Sequence, residues 1–381
     1  MNQRQQFITE SLKGLVPFTA LCREYGISEK TGYKWKNRFM QYGLSGLSDL
    51  SKAPKSTPES LPEDVVIRIV NLRTAHPSWG AKKLAVLYRK AFPDGSCPSI
   101  STFQRLFNKA GLVKKRRIRL VDPVAHRLRQ HIQPLEPNDV WSVDFKGWWF
   151  SNHEKCIPLT ICDVASRFIL DIRLMHSQSS QAVRAVFTRL FAQYGLPKVI
   201  RSDNGPPFAA PNGILSLTSL SAWWISLGIL PDRIDPGRPY QNGTHERMHA
   251  DLARDIQGKV SGGIAATQAA IDLWLKEYNE VRPHEALGML TPSDVYHLSP
   301  VSYTGDIQQL EYPPGFLTRK VFDNGEITLH GVRVSIGFAL RGSHLGLLPS
   351  DDHHLSVWLA DFPLGYIDLQ TYCFQPMEAL E

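Results

Sequence analysis

The sequence predicts a multidomain protein with all-α units at the N-terminus, a central α/β domain and a small C-terminal β-barrel. Three observations predict this order. Residues 1–133 carry 24 Lys and Arg against 9 Asp and Glu, a net charge of +15, whereas residues 134–381 carry 19 against 27, a net charge of −8. Strand patterns rich in aromatic residues begin after Pro134, and helical periodicity ends near Leu310. The basic N-terminal part indicates a polyanionic partner such as nucleic acid, with a solvated basic face as the alternative.

The first all-α unit is predicted as three helices within residues 4–42. Gly26 and Ile27 turn the chain after the second helix, and Ser28 can cap the third. This pattern is typical of a helix-turn-helix motif, with residues 28–41 as the recognition helix. Gly32 breaks its apolar face and costs about 1 kcal/mol of helix stability. The predicted DNA contacts on this helix are Lys30, Lys34, Asn37 and Arg38.

A second helical unit is expected after a linker with three prolines. Its helices are predicted at about 63–75, 80–92 and from Ser101 to near Gly111. A basic run follows, suited to DNA phosphates, although a solvated linker is the alternative for each side chain. The run begins with Lys114, Lys115, Arg116 and Arg117.

The central domain is predicted to begin with an antiparallel meander of three strands, followed by alternating helices and strands. From residue 319 onward, short β patterns and the Asn324-Gly325 hairpin signal predict the barrel of five or six strands. The predicted boundaries are 1–50 for the first helix-turn-helix domain, 51–62 for the linker, 63–120 for a second helix-turn-helix or winged-helix-like unit, 134–300 for the α/β domain and 310–375 for the barrel.

Three acidic residues lie where a site is expected. Asp144 is mid-strand between apolar neighbours, Asp203 follows the end of a short strand, and Glu246 is near the start of a helix. Each alone is typical of a turn or a helix cap. If the three converge, their oxygens select Mg²⁺ or Mn²⁺, and two such ions about 4 Å apart can activate water or a 3′-hydroxyl against a phosphodiester.

A competing motif overlaps the last acid. His245-Glu246-Arg-Met-His249 matches the H-E-x-x-H signature of zinc metalloproteases, with Glu277 or Glu280 as a third ligand. That interpretation leaves Asp144, Asp203 and the basic N-terminal part without a role. No Cys pair has zinc-finger spacing, and zinc is not expected.

Trp141-Ser-Val-Asp144-Phe-Lys, Ser202-Asp203-Asn-Gly and Arg238-Pro-Tyr-Gln-Asn-Gly-Thr-His-Glu246 resemble the signatures of the integrase core of retroviral integrases and bacterial insertion-sequence transposases. Asn279-Glu-Val-Arg-Pro-His and His76-Pro-Ser-Trp-Gly resemble further segments of the bacterial members. The resemblance covers roughly residues 10–370. It departs from the retroviral pattern in the longer interval between Asp203 and Glu246, which residues 206–217 account for, and in lacking the zinc-binding His/His/Cys/Cys module.

The resemblance implies an RNase H-like fold in which Asp144, Asp203 and Glu246 are both the catalytic and the metal-binding residues. It implies cleavage of double-stranded DNA at the element's terminal repeats and strand transfer into target DNA. Concerted joining of two ends requires a homo-oligomer on DNA. Further DNA contacts are predicted at Lys146, Arg247 and Arg254. A DNA-binding regulator that has lost catalysis is the other open alternative.

Composition limits the remaining classes. The five Cys are scattered, and their odd number argues against a disulfide framework. The N-terminus lacks an apolar signal region, and no apolar run approaches the length of a membrane span. The expected location is the bacterial cytoplasm, at the nucleoid when bound to DNA, without a membrane partner.

Overall fold

The computed structural model describes residues 3–49, 61–113, 132–210, 213–234, 243–306 and 310–377. The chain divides into two compact units, residues 1–63 and 64–381. Within the described ranges, none of the helices has the length and apolar character needed to cross a bilayer. The basic run from Lys114 to Arg117 lies outside the described residues, so its DNA contacts stay a prediction.

The first unit contains the three predicted helices. These are α1 (Gln3–Lys13), α2 (Phe18–Glu24) and α3 (Glu29–Tyr42). Ser28 caps α3 as expected, because its hydroxyl accepts a hydrogen bond from the Thr31 amide. A short 3₁₀ helix, Gly43–Leu47, follows. All three helices contribute apolar side chains to one small core, which includes Phe7, Ile8, Leu21, Cys22, Trp35 and Leu47.

Gly32 is a contact point rather than a defect of α3, which corrects the interpretation from sequence. A Cβ atom at this position would lie 2.7 Å from the Cys22 sulfur and 3.0 Å from the rings of Phe7 and Phe18. The glycine therefore lets α3 approach α1 and α2 closely. Its unfavourable helix propensity is offset by this packing.

The second helical unit consists of α4 (Glu63–Ala75), α5 (Ala81–Ala91) and α6 (Ile100–Lys109). The start of α6 differs slightly from expectation. Ser99 rather than Ser101 is the cap, since its hydroxyl accepts from the Thr102 amide. The buried side chains that join the helices include Ile69, Leu84, Tyr88, Phe103 and Phe107.

The central sheet has a mixed order. Its strands are β1 (Val140–Phe145), β2 (Trp149–Ser151), β3 (Glu154–Asp163), β4 (Ile169–Met175), β5 (Val199–Ser202) and β6 (Leu230–Arg233). The main order is β4-β3-β1-β5-β6, and β2 pairs with the first part of β3. The predicted antiparallel meander of β1, β3 and β4 is confirmed, whereas β1, β5 and β6 run parallel. Sequence reasoning missed β6 because Leu-Pro-Asp-Arg has no apolar alternation.

Helices cover both faces of this sheet. On one face lie α7 (Ser180–Tyr194) and α8 (Ser219–Ser226), which pack with Val143 and Ile161 of the strands. On the other face lie α9 (Gly243–Asp255) and α10 (Gly263–Glu280), which pack with Cys162 and Ile172. This confirms the predicted α/β class. Because side chains alternate along a strand, Asp144 lies on the face of α9 and α10, opposite Val143.

The second helical unit is anchored to the end of α10 and the chain that follows it. His76 Nδ1 lies 2.9 Å from a Glu277 carboxylate oxygen, and Lys82 Nζ lies 3.1 Å from Glu285. The Arg282 guanidinium lies 5.9 Å from the centre of the Trp79 ring. A short helix, α11 (Pro292–Val295), closes this part of the chain.

The C-terminal region is all-β, as predicted. It contains β7 (Leu317–Lys320), β8 (Glu326–Leu329), β9 (Val332–Ser335), β10 (His344–Pro349), β11 (His354–Leu359), β12 (Phe362–Asp368) and β13 (Cys373–Pro376). The described strands form an open antiparallel sheet, β7-β10-β11-β12-β13, and a separate β8-β9 hairpin, rather than the closed barrel expected from sequence. Leu345 and Val357 of the sheet share one core with Val334 of the hairpin and Ile225 of α8. The sheet is therefore covered by other elements instead of closing on itself.

Candidate active site: carboxylates beside a hydroxyl–imidazole network

The parallel pairing of β1 and β5 places two of the predicted acids side by side. Ser142 is in register with Arg201, and extending that register by two residues sets Asp144 next to Asp203. Neighbouring strands lie about 4.8 Å apart. The two carboxylates therefore share the carboxyl edge of the parallel strands, where crevices form in α/β sheets.

The turn that carries Asp203 is fixed by local hydrogen bonds. The Gly205 amide donates to Asp203 Oδ1 at 3.2 Å, and the Asn204 side-chain amide donates to the Ile234 carbonyl at 2.5 Å. A Cβ atom at position 205 would lie 3.1 Å from Asp203 Oδ2. The glycine thus leaves room for the carboxylate, which accounts for the Ser-Asp-Asn-Gly pattern.

Glu246 lies in the first turn of α9 and is exposed. Its negative charge acts on Asp144 together with that of Asp203. Burial and, to a smaller extent, the charges of Asp203 and Glu246 together raise the pKa of Asp144 to about 7, against a lowering contribution from the Phe145 amide. The three predicted acids therefore share one electrostatic site.

The arrangement is not a finished coordination sphere. Among the described residues, no three His, Cys, Asp or Glu side chains converge closely enough to hold a metal ion. The chemistry of the donor set nevertheless fits a hard divalent cation, because the acids supply only oxygen ligands. No cation is among the groups that shift the pKa of Asp144. A bound divalent ion would relieve the repulsion between the carboxylate of Asp144 and those of Asp203 and Glu246.

A hydrogen-bond network connects α9 to the two strands beneath it. Ser142 Oγ lies 2.8 Å from His245 Nδ1, and Thr160 Oγ1 lies 2.5 Å from His245 Nε2. The same Thr160 hydroxyl lies 2.7 Å from His249 Nε2 and 2.9 Å from the carbonyl oxygen of Asp144. We call Ser142, Thr160, His245 and His249 the hydroxyl–imidazole network. It fixes the first turn of α9, and hence Glu246, against the strand of Asp144.

The tautomers of both imidazoles follow from the donor count. A carbonyl oxygen only accepts, so the single Thr160 proton goes to the Asp144 carbonyl. Both Nε2 atoms must then donate to Thr160, and His245 Nδ1 accepts from Ser142. The remaining acceptor is His249 Nδ1, which lies 3.8 Å from Asp144 Oδ2. Burial, with a smaller contribution from Lys146, lowers the pKa of His249 to about 3, so this nitrogen carries a lone pair.

The same network argues against the zinc-protease interpretation. Both nitrogens of His245 are engaged by hydroxyl groups, so neither has a lone pair free for a metal ion. Glu277, one proposed third ligand, instead contacts His76 of the second helical unit. The pattern His245-Glu246-x-x-His249 therefore joins a helix to a sheet.

The predicted DNA contacts of α3 differ in their surroundings. Lys30, Lys34 and Asn37 are exposed, as contact residues require. Arg38 is partly engaged inside the unit, since it donates to the Ser48 carbonyl at 2.7 Å and lies 4.9 Å from the centre of the Trp35 ring.

The predicted contacts near the carboxylates also differ. Arg247 is exposed on α9. Arg254 is held by Asp251 and Asp255 on the same helix. Lys146 donates to the Gln257 side chain at 3.0 Å, and it is not among the groups that shift the pKa of Asp144.

Sequence reasoning missed Ser142 and Thr160. Ser142 lies two residues before Asp144 on the same face of β1, which was the available signal, whereas Thr160 is revealed only by the pairing Asp144↔Thr160. Asp163, the last residue of β3, stabilises the turn that follows this strand. It is buried and accepts from the Asn138 amide and from the Ser166 amide and hydroxyl.

Comparison with known families supports this architecture. Models of the integrase core domain match residues 134–239 and 227–292. A helix-turn-helix domain matches residues 3–55, and a homeodomain-like domain matches residues 31–107. The C-terminal domain of IS481 family transposases matches residues 317–373.

Similar proteins come from bacterial insertion elements. The uncharacterized 31.7 kDa protein of insertion element IS407 from Burkholderia multivorans is 29% identical over 66% of this chain and 87% of its own length. The uncharacterized 39.2 kDa protein of insertion element IS476 from Xanthomonas euvesicatoria is 29% identical over 66% of this chain and 69% of its own length.

Solved structures give weaker likenesses. The catalytic core domain of HTLV-2 integrase in complex with magnesium (trimeric form) is 18% identical, with a TM-score of 0.34 over 43% of this chain and 100% of that chain. A chain of the simian T-cell lymphotropic virus intasome in complex with a PP2A regulatory subunit is 15% identical, with a TM-score of 0.38 over 77% of this chain and 97% of that chain. The family models and the insertion-element relatives together support a bacterial insertion-sequence transposase with an integrase core domain.

Proposed function

We propose that this transposase cleaves DNA at the ends of its element and joins them to target DNA, with Asp144, Asp203 and Glu246 as its catalytic, metal-binding triad. The observation that carries the proposal is the register of β1 with β5, which sets Asp144 beside Asp203, and the charge of Glu246 adds to that of Asp203 in raising the pKa of Asp144. Acids kept close together without a compensating cation are costly for the fold. Such a cost is typical of a functional site.

The proposed cofactor is Mg²⁺ or Mn²⁺, as two ions held by the triad, with no zinc. When bound, such ions activate a water or 3′-hydroxyl nucleophile and stabilise the leaving oxygen of a phosphodiester. The residues of this chain position the three carboxylates that would bind the ions. The pairing of β1 with β5 sets Asp144 beside Asp203, and the hydroxyl–imidazole network holds the α9 turn that carries Glu246.

The proposed partners are the double-stranded terminal repeats, the target DNA and further copies of this chain. The exposed side chains of α3 suit contacts with bases and phosphates. Arg247 suits a phosphate contact one residue from Glu246. We further propose that the protein works in the bacterial cytoplasm, associated with the nucleoid.

The test uses full-length protein, Mg²⁺ and the DNA that flanks its own gene, with nicks and joined products mapped by sequencing gels. We expect wild-type protein to nick the element ends and join them, and Asp144→Asn to bind the same DNA without nicking or joining. Asp352→Asn, a change of an exposed acid in the C-terminal sheet region, is the matched control. Unchanged cleavage by Asp144→Asn would refute the triad. Binding without cleavage by wild-type protein would support a silent regulator instead.

A further inference from the structure

We propose that Nδ1 of His249 is a nitrogen ligand of the divalent metal ion bound by Asp144. The inference rests on the proposed metal-dependent function and deepens it, because it adds an imidazole to an otherwise all-oxygen set. It follows from the position of His249, the direction of its ring and the hydrogen bonds that hold it.

The distance suits two ligands of one ion. His249 Nδ1 and Asp144 Oδ2 are 3.8 Å apart. With metal–ligand bonds of about 2.1 Å, two ligands of the same ion lie between about 3.0 Å at a right angle and about 4.2 Å when opposite. The pair therefore needs no large rearrangement to share an ion, and the separation is too long for a direct hydrogen bond.

The ring presents the correct atom. Because His249 Nε2 donates its proton to Thr160, Nδ1 is the nitrogen with the lone pair, and it is the nitrogen that faces Asp144. The ring is mostly buried, with 12% of the side chain exposed. Among the residues that the structure describes, none donates a hydrogen bond to Nδ1 of His249.

The support behind the ring is of the kind that metal-binding histidines have. Such a histidine donates its second ring N–H to a fixed acceptor, which sets both its tautomer and its orientation. Here the acceptor is the Thr160 hydroxyl, which in turn donates to the backbone carbonyl of Asp144. Thr160 thus links the ring of His249 to the backbone of Asp144. The same hydroxyl therefore positions both proposed ligands, His249 and Asp144.

His245 provides an internal contrast. It is one residue from Glu246 and 1% exposed, yet both of its nitrogens are occupied by Ser142 and Thr160. Its role is to hold α9. The two histidines of the pattern therefore divide the work, His245 as a positioning residue and His249 as the metal ligand.

A nitrogen ligand predicts a preference among metals. Imidazole favours Mn²⁺ over Mg²⁺ more strongly than a carboxylate does. We therefore expect the full-length protein to bind Mn²⁺ more tightly than Mg²⁺, and this preference to shrink when His249 is replaced.

Two substitutions separate a ligand from a positioning residue. The amide of His249→Gln reaches the Nε2 position and can keep the Thr160 hydrogen bond, but it leaves no donor atom near Nδ1. The amide of His249→Asn reaches the Nδ1 position and can offer an oxygen to the ion, but it loses Thr160. If His249 is a ligand, His249→Gln weakens Mn²⁺ binding by at least about 10-fold and His249→Asn weakens it less. The reverse order would assign His249 a positioning role only and overturn the proposal.

The direct measurement is pulsed electron paramagnetic resonance of Mn²⁺ bound to full-length protein labelled with ¹⁵N-histidine. We expect a nitrogen coupling in wild-type protein that is lost in His249→Gln and kept in His176→Gln, a change of an exposed histidine of the core domain. Mn²⁺ bound in an Asp144-dependent manner without nitrogen coupling overturns the inference but leaves the proposed function intact. Mn²⁺ binding unaffected by Asp144→Asn counts against both.

Discussion

Asp144 and Asp171 are two acids on the same sheet with opposite surroundings. Asp171 lies on β4, on the face covered by α7, and its carboxylate is paired with Arg189 of α7 and with Arg173. Asp144 lies on the face covered by α9. The charges that act on it are those of two other acids, and its pKa rises to about 7. One face of the sheet therefore supplies cations to its buried acid, whereas the other collects further acids around it.

The difference separates a structural acid, Asp171, from Asp144, for which we propose a catalytic role. When a buried carboxylate is paired with cations of the fold, removing it lowers the free energy of unfolding, because the cations lose their partner. A partly buried carboxylate that has only like charges around it lowers the stability of the fold until a ligand compensates for that repulsion. Activity and stability should therefore respond to different acids of the same sheet.

The largest effect is expected for Asp144→Asn. We expect end cleavage and strand transfer to fall by about 10³-fold or more, because the substitution removes a carboxylate that we propose as a metal ligand. The free energy of unfolding should not fall, because the change removes a repelled charge. Cleavage assays and urea unfolding check the two parts. A variant that is inactive only because it unfolds would remove the contrast with Asp171.

Metal binding should stabilise the wild-type protein selectively. At 100 times its dissociation constant, Mn²⁺ should add about 2.7 kcal/mol to the free energy of unfolding. Asp144→Asn should lose most of this gain, whereas Asp171→Asn should keep it. Thermal or urea unfolding with Mn²⁺ and with EDTA gives both values. Equal stabilisation of all three proteins would place the ion elsewhere.

Asp171→Asn should affect stability rather than chemistry. Its arginine partners are 46% and 37% exposed, so solvent screens the freed charges and we expect a loss of about 1–2 kcal/mol. Cleavage per folded molecule should stay at the wild-type level. Asp171→Glu, which keeps the charge, is the matched control. A large loss of activity in folded Asp171→Asn protein would show that the two acids are not separable.

The smallest effect is expected for a partly buried cation, Lys83, whose pKa is lowered rather than raised. Burial and the charges of Arg282 and Arg247 lower the pKa of Lys83 to about 8, against raising contributions from Asp251 and Glu285. The cost of this charge is complete below pH 8. It falls as pH rises toward the ordinary value of 10.5, because the folded protein releases the proton first.

Wild-type protein should therefore gain stability relative to Lys83→Met between pH 8 and 10. Because Lys83 is partly solvated, we expect Lys83→Met to be more stable at pH 7 by about 1 kcal/mol. Urea unfolding of both proteins at several pH values measures the difference, with Lys82→Met as the control. A difference that does not change with pH would contradict the assignment.

The layers of the fold were accessible from the sequence because periodicity and turn residues report local structure. The predicted helix at about 63–75 agrees with α4 at both ends, and the predicted antiparallel meander is confirmed. The predicted closed barrel is wrong, because whether a sheet closes on itself depends on which other elements cover it. Ile225 of α8 lies over a hundred residues before the strands with which it shares a core.

The candidate site shows the same limit. A mid-strand acid, a strand end, a helix start and a family resemblance predict the three acids, and all of these are local patterns. The contacts of Thr160 depend on register between two strands and on the docking of α9, which no single segment encodes. The sequence shows the two histidines as a motif, but their spacing alone does not predict their hydrogen-bond partners.

The attachment of the second helical unit has a geometric consequence. Its contacts through His76, Trp79 and Lys82 with residues 277–285 fix it to the helix layer that also contains α9 and Glu246. If this unit contacts DNA as the sequence predicts, and the three acids cleave DNA as proposed, the contacted bases and the cleaved bond lie at a constant spacing. Inserting five base pairs between them would rotate the cleavage point by about half a helical turn, out of reach of the carboxylates.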